Sequence, residues 1–329
     1  MLLAPGRPRA FLDVKPSPTA LHRYLIDPRL AELPIEPAKL FGHEAPMKVE
    51  IGFGGGEYLS WWAGQEPESH FLGIELPPDC LFRAAISLQQ EQREHVRLVQ
   101  GDARYLLHAL FAPGSLDHVL MQFPMPWPKD KHAKHRVSSP NFVATLASVL
   151  KAQGIFELVT DQDWYAEECH QHFQAHAAFA VRAMEQDPDR PFRTRYEQKW
   201  LEEGRHIYRL EVQLLHPEPT PSPLAIQPMD HLHLPQAPDS DALKALVGQT
   251  WKEGDCAAEI KTLFAADNGW LLRVVASDEA FAQMFHVRIR KSKEDRWLVQ
   301  VDGLPRPYYT EAVRFLQHKV AAALTSVEA

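Results

Sequence analysis

From Lys48 to Thr160, five short apolar runs alternate with amphipathic stretches. This alternation constrains the fold more than any other feature of the chain. The runs are Lys48–Ile51, His70–Ile74, Val96–Gln100, Asp117–Phe123 and Gly154–Thr160. Helical spacing fills the gaps, at Pro78–Glu91, Ala103–Phe111, Asn141–Leu150 and Tyr165–His176. Apolar strands separated by helices predict βαβ units, and therefore a parallel sheet covered on both faces. Strand-like runs near Phe179–Met184 and Ile207–Leu215, with no clear helix between them, predict a closing antiparallel hairpin. Composition then changes. Residues 216–240 hold seven of the chain's 27 prolines, which predicts an extended linker. Beyond it, Glu259–Ala265, Trp270–Ala276, Phe285–Arg290 and Trp297–Val301 read as strands and Thr310–Leu324 as a helix. The expected organisation is an N-terminal arm (1–40), an α/β domain (41–215), a Pro-rich linker (216–240) and a smaller α+β domain (241–329).

Three strand ends carry the chemistry. Glu50-Ile51-Gly52-Phe53-Gly54-Gly55-Gly56-Glu57 closes the first strand and opens a helix. Its glycines let the backbone turn sharply beside a ligand. Glu57 occupies the third glycine position of the dinucleotide signature, and a carboxylate there is a poor neighbour for a pyrophosphate, which disfavours NAD. Glu75 ends the second strand, where an acid can accept both ribose hydroxyls. Asp102 ends the third, where an acid can accept from an adenine amine. Together these positions predict a nucleoside-bearing cofactor without phosphate, of which S-adenosylmethionine is the common one.

The fourth strand runs into Phe123-Pro124-Met125-Pro126-Trp127-Pro128, followed by Lys129, Lys131, Lys134 and Arg136. A proline-stiffened aromatic turn beside concentrated positive charge suits a flat base on a phosphate backbone. The net charge of −8 restricts any nucleic-acid surface to such a local patch. Cys80, Cys169 and Cys256 are far apart, which excludes a sequence-encoded zinc knuckle or disulfide framework. No stretch reads as a signal peptide or membrane span, so a cytoplasmic protein without membrane association is expected.

Glu50–Glu57, Gly73–Glu75, Asp102, Phe123–Arg136, Thr160–Glu167 and Thr194–Glu197 together resemble the TrmB family of tRNA (guanine-N7)-methyltransferases, from about Leu40 to Leu215. The resemblance implies a class I, Rossmann-like methyltransferase fold with a mostly parallel seven-stranded sheet. It implies S-adenosylmethionine as cofactor and tRNA as partner, with methylation of the variable-loop guanosine (guanine-46-N7). In such enzymes the residues matching Glu50, Glu75 and Asp102, with Gly52 and Gly54 of the loop, contact the cofactor. Those matching Lys129, Asp161, Thr194, Arg195, Tyr196 and Glu197 face the tRNA guanosine. The chain departs from the family at Met125, where an aspartate with a catalytic and cofactor-contacting role is usual, and at Trp200, where glycine is usual. No catalytic residue is therefore assigned, and no metal site is expected. The competing readings are a tRNA-binding homologue that has lost turnover through Met125 and a class I methyltransferase acting on another RNA. Oligomeric state and the role of the last ninety or so residues are not encoded in any motif.

Overall fold

The computed structural model describes residues 22–126, 136, 139–220, 222, 229–279, 281–292, 294–303 and 305–325. Trp127, Lys129, Lys131 and Lys134 lie outside the described residues. The chain forms two compact units that part after Thr220, with Arg29–Ala31 belonging to the second.

Among the described residues, the first unit carries a nine-stranded sheet. Its strands are β1 (Leu25–Ile26), β2 (Met47–Ile51), β3 (His70–Glu75), β4 (Val96–Gln100), β5 (Leu116–Gln122), β6 (Leu150–Thr160), β7 (Phe179–Val181), β8 (Glu185–Gln186) and β9 (Tyr208–Leu214). The order is β1-β4-β3-β2-β5-β6-β9-β7, with β8 also on β9. Pairs from β1 to β6 are parallel, and β9 runs antiparallel to β6, β7 and β8. The α/β class and the mostly parallel sheet are as expected. The two extra strands are two residues long, too short to leave a period in the sequence. One of them, β1, lies within the expected N-terminal arm and pairs with β4.

Helices α1 (Pro37–Phe41), α2 (Glu57–Gln65), α3 (Pro78–Gln90), α4 (Ala103–Leu110), α5 (Pro140–Val149), α6 (Asp163–Gln174) and α7 (Arg195–Glu202) interleave with these strands. Burial of β2 and β3 on both faces explains their many apolar residues, Val49 and Ile51 in β2 and the run Phe71, Leu72 and Ile74 in β3. Caps fix the helix starts. Asp102 accepts from Arg104 N at 3.0 Å and Ser139 accepts from Phe142 N at 3.4 Å, just ahead of Pro140.

The two closing runs pair antiparallel as expected, β7 on β9, but β8 and helix α7 stand between them, so they are not a simple hairpin. The signal of the helix was local. Thr194-Arg195-Tyr196-Glu197 has the spacing of a capping box, and Thr194 Oγ1 accepts from Glu197 N at 3.2 Å.

The register sets Glu50 beside Leu120 and Ile51 beside Met121, so the chain leaves β2 and β5 at the same sheet edge. From β2 the chain passes to β3 on one side and later returns to β5 on the other. A crevice at such a reversal is where open α/β sheets bind ligands.

In the second unit the described residues form a six-stranded antiparallel sheet, in the order β10-β15-β14-β13-β12-β11. Its strands are β10 (Leu232–Leu234), β11 (Thr250–Glu253), β12 (Cys256–Ala266), β13 (Gly269–Asp278), β14 (Phe281–Lys291) and β15 (Trp297–Val301), with α8 (Ser240–Ala245) and α9 (Glu311–Thr325). Ile260, Val274, Phe285, Val287 and Val299 pack with Leu316 and Val320 of α9 in one core. Strand β10 falls inside the expected linker. It is a three-residue edge strand, which tolerates the proline that follows it.

Candidate functional site

The turn after β2 is made by glycine because the backbone requires it. Gly52 and Gly54 have φ of +74° and +55°, and a Cβ at either would meet nothing within 4 Å. The loop therefore lays bare backbone against open space. Gly56 has a different reason: a Cβ there would stand 2.6 Å from Ala84 Cβ, so its absence lets the start of α2 rest on α3. Glu75, at the end of β3, pins the loop. Its Oε2 accepts from Gly54 N at 2.8 Å and its Oε1 from Leu76 N at 2.8 Å.

Glu50 is 2% exposed. Its Oε1 accepts from Gln122 Nε2 at 3.1 Å, while its Oε2 is buried without a partner. Burial pushes the Glu50 carboxyl up to about 8, against the opposing pull of the Gln122 hydrogen bond and the Arg190 charge. Gln122 in turn accepts from Arg190 Nη2, and Arg190 Nη1 donates to Glu197 Oε2. A continuous buried chain of polar side chains thus runs Glu50–Gln122–Arg190–Glu197, with the Arg190 guanidinium 5.4 Å from the Tyr58 ring centroid. Burial also raises the Glu197 carboxyl above its ordinary range, although Arg190 pulls the other way.

The loop, Glu50 and Gln122 border a cavity of about 280 Å³, whereas Glu75, Arg190 and Glu197 stand behind its lining. Glu50, Gly52 and Gly54 line it, as do Thr194, Arg195 and Tyr196, with Tyr58, Gln122, Phe123 and Trp200. Cofactor and substrate positions expected from distant parts of the sequence thus share one space. Arg195 Nε sits 2.7 Å from Glu57 Oε1, joining the start of α7 to the start of α2. This accounts for the acid in the glycine loop: it holds Arg195.

Other expected positions lie outside the cavity lining. Asp102 caps α4 and is gripped by Arg104, whose Nε lies 3.0 and 3.1 Å from its two oxygens. Asp161 accepts from Arg205 Nη1 at 2.8 Å and from Gln162 Nε2 at 2.6 Å. Glu197, expected to face the guanosine, is 1% exposed and turned inward onto Arg190. Met125 is 69% exposed.

Sequence reasoning missed Gln122 and Arg190. A polar residue ending the apolar run Leu120-Met121-Gln122 was the available signal for the first. An arginine before a proline gives none for the second.

The residues present fit a nucleoside cofactor carrying a hydrogen-bond donor. Glu50 Oε2 is a buried acceptor without a partner, and burying such an atom is costly unless a ligand satisfies it. The loop backbone beside it faces open space, which suits close approach by a ligand.

Comparison with known proteins shows the family. The methyltransferase family model Methyltransf_4 matches residues 44–210. A tRNA (guanine-N(7)-)-methyltransferase from Thermotoga maritima is 31% identical over 303 residues, spanning 89% of this chain and 94% of its own. One from Thermus thermophilus is 29% identical, over 88% of this chain and 92% of its own. A third, from Nitrosococcus oceani, is 38% identical over 57% of this chain and 79% of its own. The two longer matches reach into the second unit.

Proposed function

Because this chain belongs to the TrmB family of tRNA (guanine-N7)-methyltransferases, we propose that it methylates the variable-loop guanosine at position 46 of tRNA, in the cytoplasm. The chain is an S-adenosylmethionine-dependent tRNA methyltransferase, and the cofactor supplies a methyl group carried on a sulfonium centre. The single observation that carries the site reading is the shared cavity. The glycine loop with Glu50 and the Thr194–Tyr196 segment line the same space.

In this reading Glu50 Oε2 accepts from a cofactor donor, and Gly52 and Gly54 let the backbone lie against it. Glu75 keeps lone pairs for the ribose hydroxyls while its hydrogen bonds hold the loop in shape. Asp102 serves the adenine amine from a position fixed by Arg104. Asp161 accepts from the guanine edge opposite N7, and Thr194, Arg195 and Tyr196 border the base. Glu197 acts through Arg190 and Gln122 rather than by touching the base. Lys129 and the cations behind it meet the tRNA backbone.

Guanine N7 carries a lone pair and no proton, so the protein does not need a general base at that atom. Its task is orientation, which is worth up to about 7–11 kcal/mol when reacting atoms are held in line. Met125 then supplies contact rather than charge.

The test is methyl transfer from labelled S-adenosylmethionine to unmodified tRNA, followed by nucleoside mapping. N7-methylguanosine at position 46 supports the reading. The same product at another position removes the site choice. No transfer, with tRNA still bound, points to a binding homologue.

A further inference from the structure

The cavity wall combines polar groups with aromatic rings. Phe123, Tyr196 and Trp200 all line it, together with Glu50 and the glycine loop. Tyr196 and Trp200 are four residues apart on α7 and so share a face of that helix. Their ring centroids are 6.1 Å apart with planes 33° from parallel. Phe123 meets Trp200 at 4.7 Å and 57°. Neither pair closes into a flat stack, and Trp200, with the Arg205 guanidinium 5.9 Å from its ring centroid, still borders the cavity. Tyr196 is 59% exposed although it borders the cavity. Phe123 sits at φ +48°, a left-handed backbone that a bulky residue adopts only under strain. That conformation ends β5 and coincides with a ring turned to the cavity wall.

We infer that Trp200, with Tyr196 beside it and Phe123 behind it, is a stacking platform for the target purine of the tRNA. The inference rests on the methyltransferase reading above and adds to it the group that holds the base. Stacking is indifferent to the edge of the base, so it leaves N7 and the opposite edge open to other groups. A purine extracted from its RNA stack loses the contacts of its neighbours, and an aromatic platform replaces them.

The experiment uses the full chain with Trp200→Ala and Trp200→Phe. Equilibrium binding of unmodified tRNA is measured in the presence of S-adenosylhomocysteine. Calorimetry reports the affinity of S-adenosylmethionine and S-adenosylhomocysteine without RNA. Trp200→Ala is expected to weaken tRNA binding roughly fivefold to 150-fold, the range seen on removing one base–aromatic stack. Cofactor affinity stays within about twofold, and Trp200→Phe recovers most of the RNA binding. A tRNA with an abasic site in place of the target guanosine should lose affinity for wild type but lose nothing further with Trp200→Ala.

Unchanged tRNA affinity in a Trp200→Ala protein of normal melting temperature overturns the platform. So does a loss confined to S-adenosylmethionine, which would place the ring against the sulfonium instead. If Trp200→Ala does not fold, Trp200→Leu with the abasic tRNA decides the same question. A wild type that never methylates tRNA sinks the functional reading itself, whereas a methylating wild type with an indifferent Trp200 sinks only the platform.

Discussion

Arg205 Nη1 lies 2.8 Å from Asp161 Oδ2, so the carboxylate proposed to meet the guanine edge is already held by a cation. The same guanidinium stands 5.9 Å from the Trp200 ring centroid. Arg205 is about half exposed while Asp161 is nearly buried. The pair therefore fixes the carboxylate's direction more than it stabilises the fold. Arg205→Ala should lower kcat/KM for tRNA by about threefold to tenfold, through lost orientation. Its melting temperature should move by only a few degrees, because a half-exposed ion pair contributes about 0.2–1 kcal/mol. A large fall in melting temperature with unchanged kinetics would reverse this assignment.

Glu50 gives a pH dependence with a definite sign. Its folded carboxyl titrates near 8, above the ordinary carboxylate range, because burial disfavours the charge. A raised folded pKa means that this group's contribution to stability is complete below the ordinary carboxylate range. That contribution declines as pH rises toward 8. Thermal melts of the cofactor-free protein should show the decline, and Glu50→Gln should flatten it. Affinity for S-adenosylmethionine should move the other way, rising with pH up to about 8, because a cationic ligand prefers the ionised acid. Parallel pH profiles in wild type and Glu50→Gln would remove Glu50 from cofactor binding.

Arg190 joins the buried relay at two points, through Gln122 and Glu197. Replacing it with methionine leaves Glu197 buried without its countercharge. Losing one partner of a buried pair costs about 3–5 kcal/mol. Arg190→Met should therefore lower unfolding free energy in urea by that order. The double variant Arg190→Met/Glu197→Leu should recover part of it, since no lone charge remains inside. A double variant no more stable than the single one would show that the pair is not the source of the loss.

Met125, where the resemblance leads one to expect aspartate, is 69% exposed. If orientation suffices for attack by N7, Met125→Asp changes the rate by less than about tenfold, or 1.4 kcal/mol. A nearly silent wild type, restored a hundredfold or more by Met125→Asp with both ligands already bound, would show that the acid is needed. Matching thermal melts are required before the rates are compared.

The sheet was legible because its strands are buried on both faces, which leaves runs such as Phe71–Ile74 and Val119–Met121 wholly apolar. The glycine loop was legible for a related reason: a backbone that must adopt positive φ beside open space admits little else. Helix α7 was hidden by its exposed, polar surface, where only Glu197 is buried and only the cap marks the start. The relay was hidden because its members are 72 and 68 residues apart along the chain. No local pattern records that Gln122 will lie between Glu50 and Arg190. Trp200 could be noticed as a departure from the family, but its meeting with Phe123 needed the folded chain.

Strand β9 lies between β6 and β7, although it is made after both. During synthesis, then, β6 presents an open edge of unpaired backbone until residues 208–214 have left the ribosome. For that interval the nascent domain offers a template on which a neighbouring chain could pair. Insertion of β9 both completes the ladder and removes the template, so the step that closes the sheet is also the step that makes the nascent chain safe from its neighbours.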